Sequence, residues 1–555
     1  MKIRKLKLLI CAVLLGAFSA GFLSAEIRFK NIFQSDMVLP AGEENIVAGI
    51  TDPAASAVEV SVLAKSNDGK SAEKKIRAKV NKNGAWFAKI PAFPKRTILE
   101  ISAKNEKGET AAISNVVTGE LWFGSGQSNM EWNFNANTIE PEYREKYRKI
   151  ADSMKGDVRT FKTSRLLFTE PSDEVGGRWN IISGRNLDRS GSQLGFIFAC
   201  ILSKELDTPV GFVDTSWSGS KIEPWISKKA LREANPQIRV EGRIMDWAEY
   251  ENALNNFEKL RRDYIQNYRK WFEKYPSDEM QSQNRASCPE KPIDEVSIDN
   301  LPCKMYNAKV HGLAPLSPKG VLWYQGESNS GEPYQYPALI KLLVTSWRKH
   351  FNREFYFYYV DLAAHRDTQT QPAHCGSWGG IRDAMAEVLT LPKTGVATSI
   401  DSGGSKKQGQ GDIHPPHKEL VATRLANLAL AEVYKKGSVK AARSPYYSGE
   451  YKIEGNKIIV KIANAEGLRK MQGKEKLTGF AVRGDHPRIW EWADAEIKGD
   501  TIILSSPKVP DPKAARYAWA NWPLVSVESK HGLPLRSFST DGGAYLDWDQ
   551  QPPKK

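Results

Sequence analysis

Glu120-Leu121-Trp122-Phe123-Gly124-Ser125-Gly126-Gln127-Ser128-Asn129-Met130-Glu131-Trp132 is the stretch whose reading decides the fold. A β-prone apolar run ends at Gly124, glycines bracket Ser125, and Ser128 follows where a helix can begin. Glycines permit the sharp strand-to-helix turn that lifts a side chain clear of the backbone. The first turn of a helix offers N–H groups without intrahelical partners to a developing oxyanion. Gly126 to Met130 carries Met where the α/β-hydrolase elbow G-x-S-x-G has its second glycine, so that fold is disfavoured. Taken alone, Ser128 reads as a helix cap; it reads as a nucleophile only in the company of other groups.

That company is present downstream. Phe212 to Ser220 (FVDTSWSGS) is a short strand opening into a loop of small residues, and Gly320 to Asn329 (GVLWYQGESN) is another strand running into a polar, glycine-broken loop. Gly411 to Lys418 (GDIHPPHK) precedes a helical pattern. In an α/β sheet the loops that follow the strands gather at one edge, where a serine, oxyanion donors and a late histidine can converge. With these four motifs in this order, and with the flanking phrases Phe33 to Leu39 and Arg516 to Ala520, nearly all of the chain after its first segment resembles the sialate O-acetylesterase family. That family is a carbohydrate-esterase branch of the SGNH (GDSL-like) hydrolases.

The resemblance implies that Ser128 is the nucleophile and His414 the base that takes its proton. It implies an oxyanion hole made of the Ser128 and Gly219 backbone N–H groups and the Gln325 side-chain amide. The family pattern has two adjacent glycines where this chain has Ser218-Gly219, a departure that keeps a backbone donor. For the acid of the triad, Asp412 lies two residues before His414, where many SGNH hydrolases have Asp at three; Asp401, at a strand end, is the rival, and Glu327 a third candidate. Gln127, Asn129, Trp132, Glu327 and Asn329 are candidate substrate contacts. Trp132, Trp217, Trp323 and Tyr324 read either as sugar-stacking platforms or as buried packing. His417, three residues after His414, invites a metal-pair reading, but acyl transfer of this type requires neither metal nor cofactor.

Composition bounds the remaining possibilities. At 555 residues the chain exceeds what one core usually serves, and 41% apolar residues are ample for several. The net charge of +14 falls to about +10 without the basic first segment, modest for this size; no Arg/Lys cluster interleaved with aromatics points to nucleic acid. Residues 1–25 read as a secretory signal ending near Ala25, and no later stretch is apolar and long enough to span a membrane, so export to periplasm or medium is expected. Cys11 belongs to that segment. Cys200, Cys288, Cys303 and Cys375 can pair, with Cys288 and Cys303 closing the shortest loop, or remain thiols, and their spacing suggests no zinc site.

Alternating apolar residues and Asn-Gly or Asp-Gly turns predict an antiparallel β-sandwich-like domain over 26–115. From 116 to 440 strands alternate with helices, among them helices at Gln193–Leu206, Tyr334–His350 and Glu419–Tyr434. This predicts an α/β fold with a parallel sheet covered on both faces, which agrees with the three-layer SGNH-type fold the resemblance implies. An insertion at about 240–300 carries aromatics at helical spacing from Trp247 to Tyr275 and predicts one long amphipathic helix, followed by a polar loop over 277–300. Strands return from 441 to 545 as a second β-domain, with a disordered tail at 546–555. The expected protein is an exported serine esterase acting on O-acetylated carbohydrate, either a sialoglycan or a plant glycan such as xylan; a non-catalytic carbohydrate-binding protein is the reading from another class.

Overall fold

Glu120 proves to lie inside a strand of 17 residues, Thr110–Gly126, that ties the architecture together. Its first half pairs antiparallel with Ile98–Asn105, and Val38–Pro40 runs parallel beside it. Its second half is almost wholly buried and lies between the parallel strands Val210–Asp214 and Gly320–Tyr324. The boundary drawn at 115/116 from sequence therefore falls within one unbroken element. The computed structural model describes residues 27–240, 243–292, 300–372, 377–402 and 413–541. The expected signal segment, the tail 546–555, Cys11, Cys375 and Asp412 lie outside the described residues.

The main sheet runs in the order Gly177–Ile181, Val158–Thr163, Val210–Asp214, Thr110–Gly126, Gly320–Tyr324, Tyr356–Val360, Thr394–Ala397. All neighbours in this path are parallel except the edge strand Gly177–Ile181, which is antiparallel, so the sheet is mixed rather than purely parallel. Thr110–Gly126 is the first strand of this path in the chain; Val158–Thr163 and then Val210–Asp214, inserted between the two, lie on one side of it, and Gly320–Tyr324, Tyr356–Val360 and Thr394–Ala397 follow in order on the other. That is the topological switch point at which α/β sheets open a crevice beyond the carboxyl ends of their strands.

Side-chain alternation explains the apolar runs that mark these strands. Phe123, Val213, Val321, Trp323 and Phe357 join one core cluster with Leu343 and Trp347 of the helix Tyr336–Phe351 and Ile381 and Met385 of the helix Ser377–Ala386. Their neighbours Trp122, Phe212, Leu322, Tyr324 and Tyr358 join a second cluster with Phe196 and Phe198 of the helix Gln193–Leu206 and Leu425 and Leu428 of the helix Glu419–Glu432. A strand buried on both faces needs apolar residues at every position.

Before the main sheet, a three-stranded sheet (Arg28–Phe29, Asn45–Ile50, Ala85–Ile90) packs with the antiparallel strands Ala57–Lys65, Ser71–Lys79 and Ile98–Asn105, and their core is continuous with the first cluster above. After it, two four-stranded sheets enclose a separate core around Ile458, Val460, Phe480, Ile502 and Tyr517.

The insertion differs from the expected single helix. A hairpin, Gln237–Val240 with Arg243–Asp246, comes first. The side chain of Asp246 then accepts from the Glu249 N–H in a reciprocal cap that starts a helix at Trp247. At Asn256 the backbone leaves helical geometry (φ −101°, ψ 10°), which splits the pattern into Trp247–Asn255 and Phe257–Lys274. The expected loop after it contains the helix Asp278–Gln283, capped by Ser277, and a helical turn at Arg285–Ser287. Among the described residues Cys200, Cys288 and Cys303 form no disulfide with one another, and burial raises the Cys200 thiol. Among the described residues no helix is long and apolar enough to cross a membrane.

Candidate active site

The strand Thr110–Gly126 delivers Ser128 to the carboxyl edge of the sheet. Gly126 still pairs with Tyr324, at φ +127°, and a Cβ there would sit 2.2 Å from the Tyr324 carbonyl oxygen, so only glycine lets the two strands meet at this bend. Gln127 N–H donates to the same carbonyl (2.9 Å), and the chain turns into the helical segment Ser128–Glu131, closed by Trp132 N–H to Ser128 O (2.8 Å). Ser128 is half-buried, and its Oγ lies 2.8 Å from His414 Nε2. The Trp132 indole stacks on the imidazole, with centroids 4.7 Å and planes 20° apart, and so fixes the ring's tilt. Trp132 thus backs the histidine.

The loop after Val210–Asp214 is stitched to this turn. Thr215 N–H donates to Gly124 O and Trp217 N–H to Gly126 O, both at 2.9 Å. Ser218 donates both its N–H and its hydroxyl to Glu131 Oε2 (2.7 Å each). Gly219 follows at φ +75°, with nothing within 4 Å of where a Cβ would be. Neither the Ser128 nor the Gly219 N–H has an acceptor among the described residues. Burial alone would raise the Glu131 carboxyl, but Lys162, Ser218 and Arg165 outweigh it and hold it below its ordinary value. Trp217 is buried, with Arg165 (4.2 Å) and Lys309 (5.1 Å) over its ring. Burial, helped by repulsion from Lys162, lowers the Lys309 ammonium to about 7.

The Gln325–Asn329 loop is also brought alongside, but its polar groups face inward. Gln325 Nε2 donates to Ser220 O (3.1 Å) and Asn329 Oδ1 (2.7 Å), while its Oε1 accepts from the Tyr336 hydroxyl (2.7 Å). Asn329 Oδ1 also accepts from Ile222 N–H (2.9 Å), and its Nδ2 donates to Glu223 Oε2 (3.1 Å). Both side chains are buried. The expected oxyanion donor Gln325 and the expected substrate contact Asn329 therefore hold the loops together here, because every amide hydrogen of Gln325 already has an acceptor. Gln127 likewise is buried, its Oε1 accepting from Ser328 N–H (3.1 Å) and Gly326 N–H (3.4 Å).

Asn129, expected as a substrate contact, is buried at the centre of another network. Its Nδ2 donates to Glu327 Oε1 (2.6 Å) and Ile413 O (3.0 Å), and its Oδ1 accepts from Lys418 Nζ (2.5 Å). Lys418 also donates to Pro415 O (2.7 Å) and lies over the Trp132 ring. Burial raises the Glu327 carboxyl above its ordinary value, against the pull of Asn129 and Lys418. Lys418 was overlooked from sequence, although it lies four residues after His414 in the quoted motif. Trp323 and Tyr324 are fully buried, so they pack rather than stack on a sugar. His417 does not join His414: its Nε2 lies 2.6 Å from Glu140 Oε2 and its ring stacks on Tyr143 at 4.0 Å. Asp401 is bound at both oxygens by Arg424 (2.6 and 2.7 Å), whose guanidinium also donates to Thr398 O.

No family model matches the chain. Curated relatives do: it is 24% identical to the sialate O-acetylesterase of Mus musculus over 533 residues, 89% of this chain and 90% of that one. It is 23% identical to the Homo sapiens protein of the same name, covering 89% and 88%. The chain resembles the sialate O-acetylesterases over nearly its whole length. Among solved structures, a carbohydrate acetylesterase from Xanthomonas citri superposes with a TM-score of 0.69 at 23% identity, covering 93% of this chain and all of that one, which establishes a shared fold.

Proposed function

We propose that this protein is a carboxylic ester hydrolase that removes O-acetyl groups from carbohydrate, with sialic acid esters as the substrate its relatives' name favours. The observation that carries the proposal is the 2.8 Å approach of His414 Nε2 to Ser128 Oγ on a glycine-bent strand end. In this reading Nε2 takes the Ser128 proton as Oγ attacks the acetyl carbonyl carbon. The carbonyl oxygen becomes an oxyanion, for which the Ser128 and Gly219 N–H groups are the available donors. The imidazolium then protonates the departing sugar oxygen. Water, deprotonated by the same imidazole, releases acetate from acetyl-Ser128. Asp412 is the proposed partner of His414, a role supported by the occupation of both Asp401 oxygens by Arg424. Export, the periplasm or the medium as destination, and the division at 26–115, 116–440 and 441–545 belong to the same proposal.

The test is acetate release from a panel of O-acetylated sialic acids, acetylated xylan oligosaccharides and an aryl acetate, each with Ser128→Ala in parallel. Release from the sialic acids that the variant abolishes is the expected result. Release from xylan alone would move the substrate assignment, and no release from any member would overturn the esterase reading.

A further inference from the structure

The helix Phe257–Lys274 contains no buried residue, although its apolar side chains are segregated to one face. Phe257, Leu260, Tyr264, Tyr268, Trp271 and Tyr275 follow one another at spacings of three and four, and Ile265 and Phe272 lie along one edge. Such a face is ordinarily the part of a helix that a core covers. Here the preceding helix does that work, with Trp247 and Tyr250 buried, while Phe257–Lys274 projects beyond it.

What covers the aromatic ladder is mainly itself. Tyr264, Tyr268, Trp271 and Tyr275 contact in succession, with centroids 5.6, 5.8 and 5.7 Å apart. The segment after it adds Gln281 Nε2 on Tyr275 O and Ser287 Oγ on Trp271 Nε1. The flanks stay open: Leu260 is 39% exposed, Ile265 41%, Phe272 49% and the neighbouring Met280 41%. Six basic residues on this helix face three acidic ones, all exposed. None of the six forms an ion pair among the described residues.

We infer that this helix lies on an anionic lipid surface, with its aromatic and aliphatic face toward the acyl boundary and its basic residues among the headgroups. A high apolar segregation, low net hydrophobicity, Tyr and Trp at the boundary and Lys and Arg mostly on the remaining face are the properties of interfacial helices. The charge argues against a second copy of this chain, whose identical basic helix would be repelled. The side chains argue against a glycan: sugars stack on flat open rings, whereas here the rings turn toward one another and the exposed groups are Leu, Ile, Phe and Met. The helix is about 27 Å long, enough for a single anchoring contact parallel to the surface.

The experiment is cosedimentation of the full chain with vesicles of phosphatidylcholine alone and of phosphatidylcholine mixed with phosphatidylglycerol. Binding to the anionic vesicles only, weakened by salt, is expected; Ile265→Glu/Phe272→Glu and Arg262→Glu/Arg269→Glu/Lys270→Glu should each lower the bound fraction at least ~10-fold with Tm unchanged. Absence of binding by the unaltered protein, or equal binding to both vesicle types, overturns the inference without needing any variant. So does a dimer in sedimentation velocity that Ile265→Glu/Phe272→Glu dissolves, or retention on insoluble glycan that the same change abolishes.

Discussion

Two loops leave the same edge of the main sheet from neighbouring strands, and both read from sequence as catalytic; the structure treats them in opposite ways. The turn at Ser128 leaves its hydroxyl against an imidazole and its N–H without an acceptor among the described residues. The Gln325–Asn329 loop directs its amides into Ser220, Ile222, Glu223 and Tyr336. A polar motif therefore marks where loops converge, not which atoms meet the substrate. An inward network in a low-dielectric setting rigidifies the walls of a site, and its loss leaves several buried groups unpaired at once. The two loops should therefore have separable effects: change at Ser128 should strike chemistry and spare stability, and change at Asn329 should do the reverse.

The largest effect tests the first half. Ser128→Ala should lower kcat by roughly 10⁴ or more while leaving the urea midpoint in place, since it removes the proposed nucleophile from a half-buried position. A variant with most of its activity would dissolve the distinction between the loops. Next comes the proposed triad acid. Asp412→Asn should lower kcat by roughly 10² to 10⁴ through the wrong imidazole tautomer, whereas Asp401→Asn should chiefly lower Tm by disrupting the Arg424 pair. Measured side by side, a large kcat loss at Asp401 with none at Asp412 would exchange the two assignments.

The other half of the comparison rests on Asn329. Replacing it with Ala leaves Ile222 N–H, one Gln325 N–H and Glu223 without partners, a cost of roughly 2–4 kcal/mol in unfolding free energy. Gln325→Ala sharpens the point, because it separates scaffold from donor. A fall in stability with a matched modest fall in kcat would mark the amide as structural; kcat lower by roughly 10² to 10³ at unchanged stability would return it to the oxyanion hole.

Why one half of this was legible and the other not follows from chain separation. The helices Gln193–Leu206 and Tyr336–Phe351 and the strand Val210–Asp214 were read to within two residues, because each has one period and an apolar run of its own. The sequence reading recognises only the inner end of the strand Thr110–Gly126 and places a domain boundary within it, because burial changes along its length, from alternating in the outer sheet to continuous in the inner one. Val158–Thr163 was missed: its run Val-Arg-Thr-Phe-Lys-Thr looks half-exposed, yet Arg159 reaches back to Asn115 O and Lys162 to Asp214. Ser128 and His414 stand out through the resemblance that the four ordered motifs carry, with glycines marking the turn that leads to Ser128. The Asn129–Glu327 and Asn129–Lys418 bonds join residues 198 and 289 positions apart, and no local pattern encodes such a pair.

The smallest expected effect concerns Glu131, which joins the Ser128 turn to the Ser218-Gly219 loop and so sets the position of a proposed donor. Its carboxylate accepts two hydrogen bonds from Ser218 and lies beside Lys162 (3.3 Å) and Arg165 (3.0 Å). These partners favour the ionised form enough to overcome burial, so the carboxyl is held below its ordinary value in the folded protein. A carboxyl whose folded value is depressed contributes stability at pH above the unfolded value, and that contribution disappears as pH falls through the folded one. Glu131→Gln should therefore cost about 1–2 kcal/mol at neutral pH, where two bonds to a charged acceptor become bonds to a neutral one. At acidic pH the wild type should converge on the variant. The readout is urea unfolding of both proteins from neutral to acidic pH, with kcat alongside. A stability difference that stays constant with pH would mean that the charge does not hold this loop. A difference that grows on acidification would mean that the carboxyl binds its proton more tightly in the folded protein, contrary to the cationic surroundings described. If stability follows the expected course but kcat does not change, Gly219 keeps its place without Glu131, and the stitching of the two loops rests on the Thr215, Trp217 and Ser220 bonds to Gly124 O and Gly126 O.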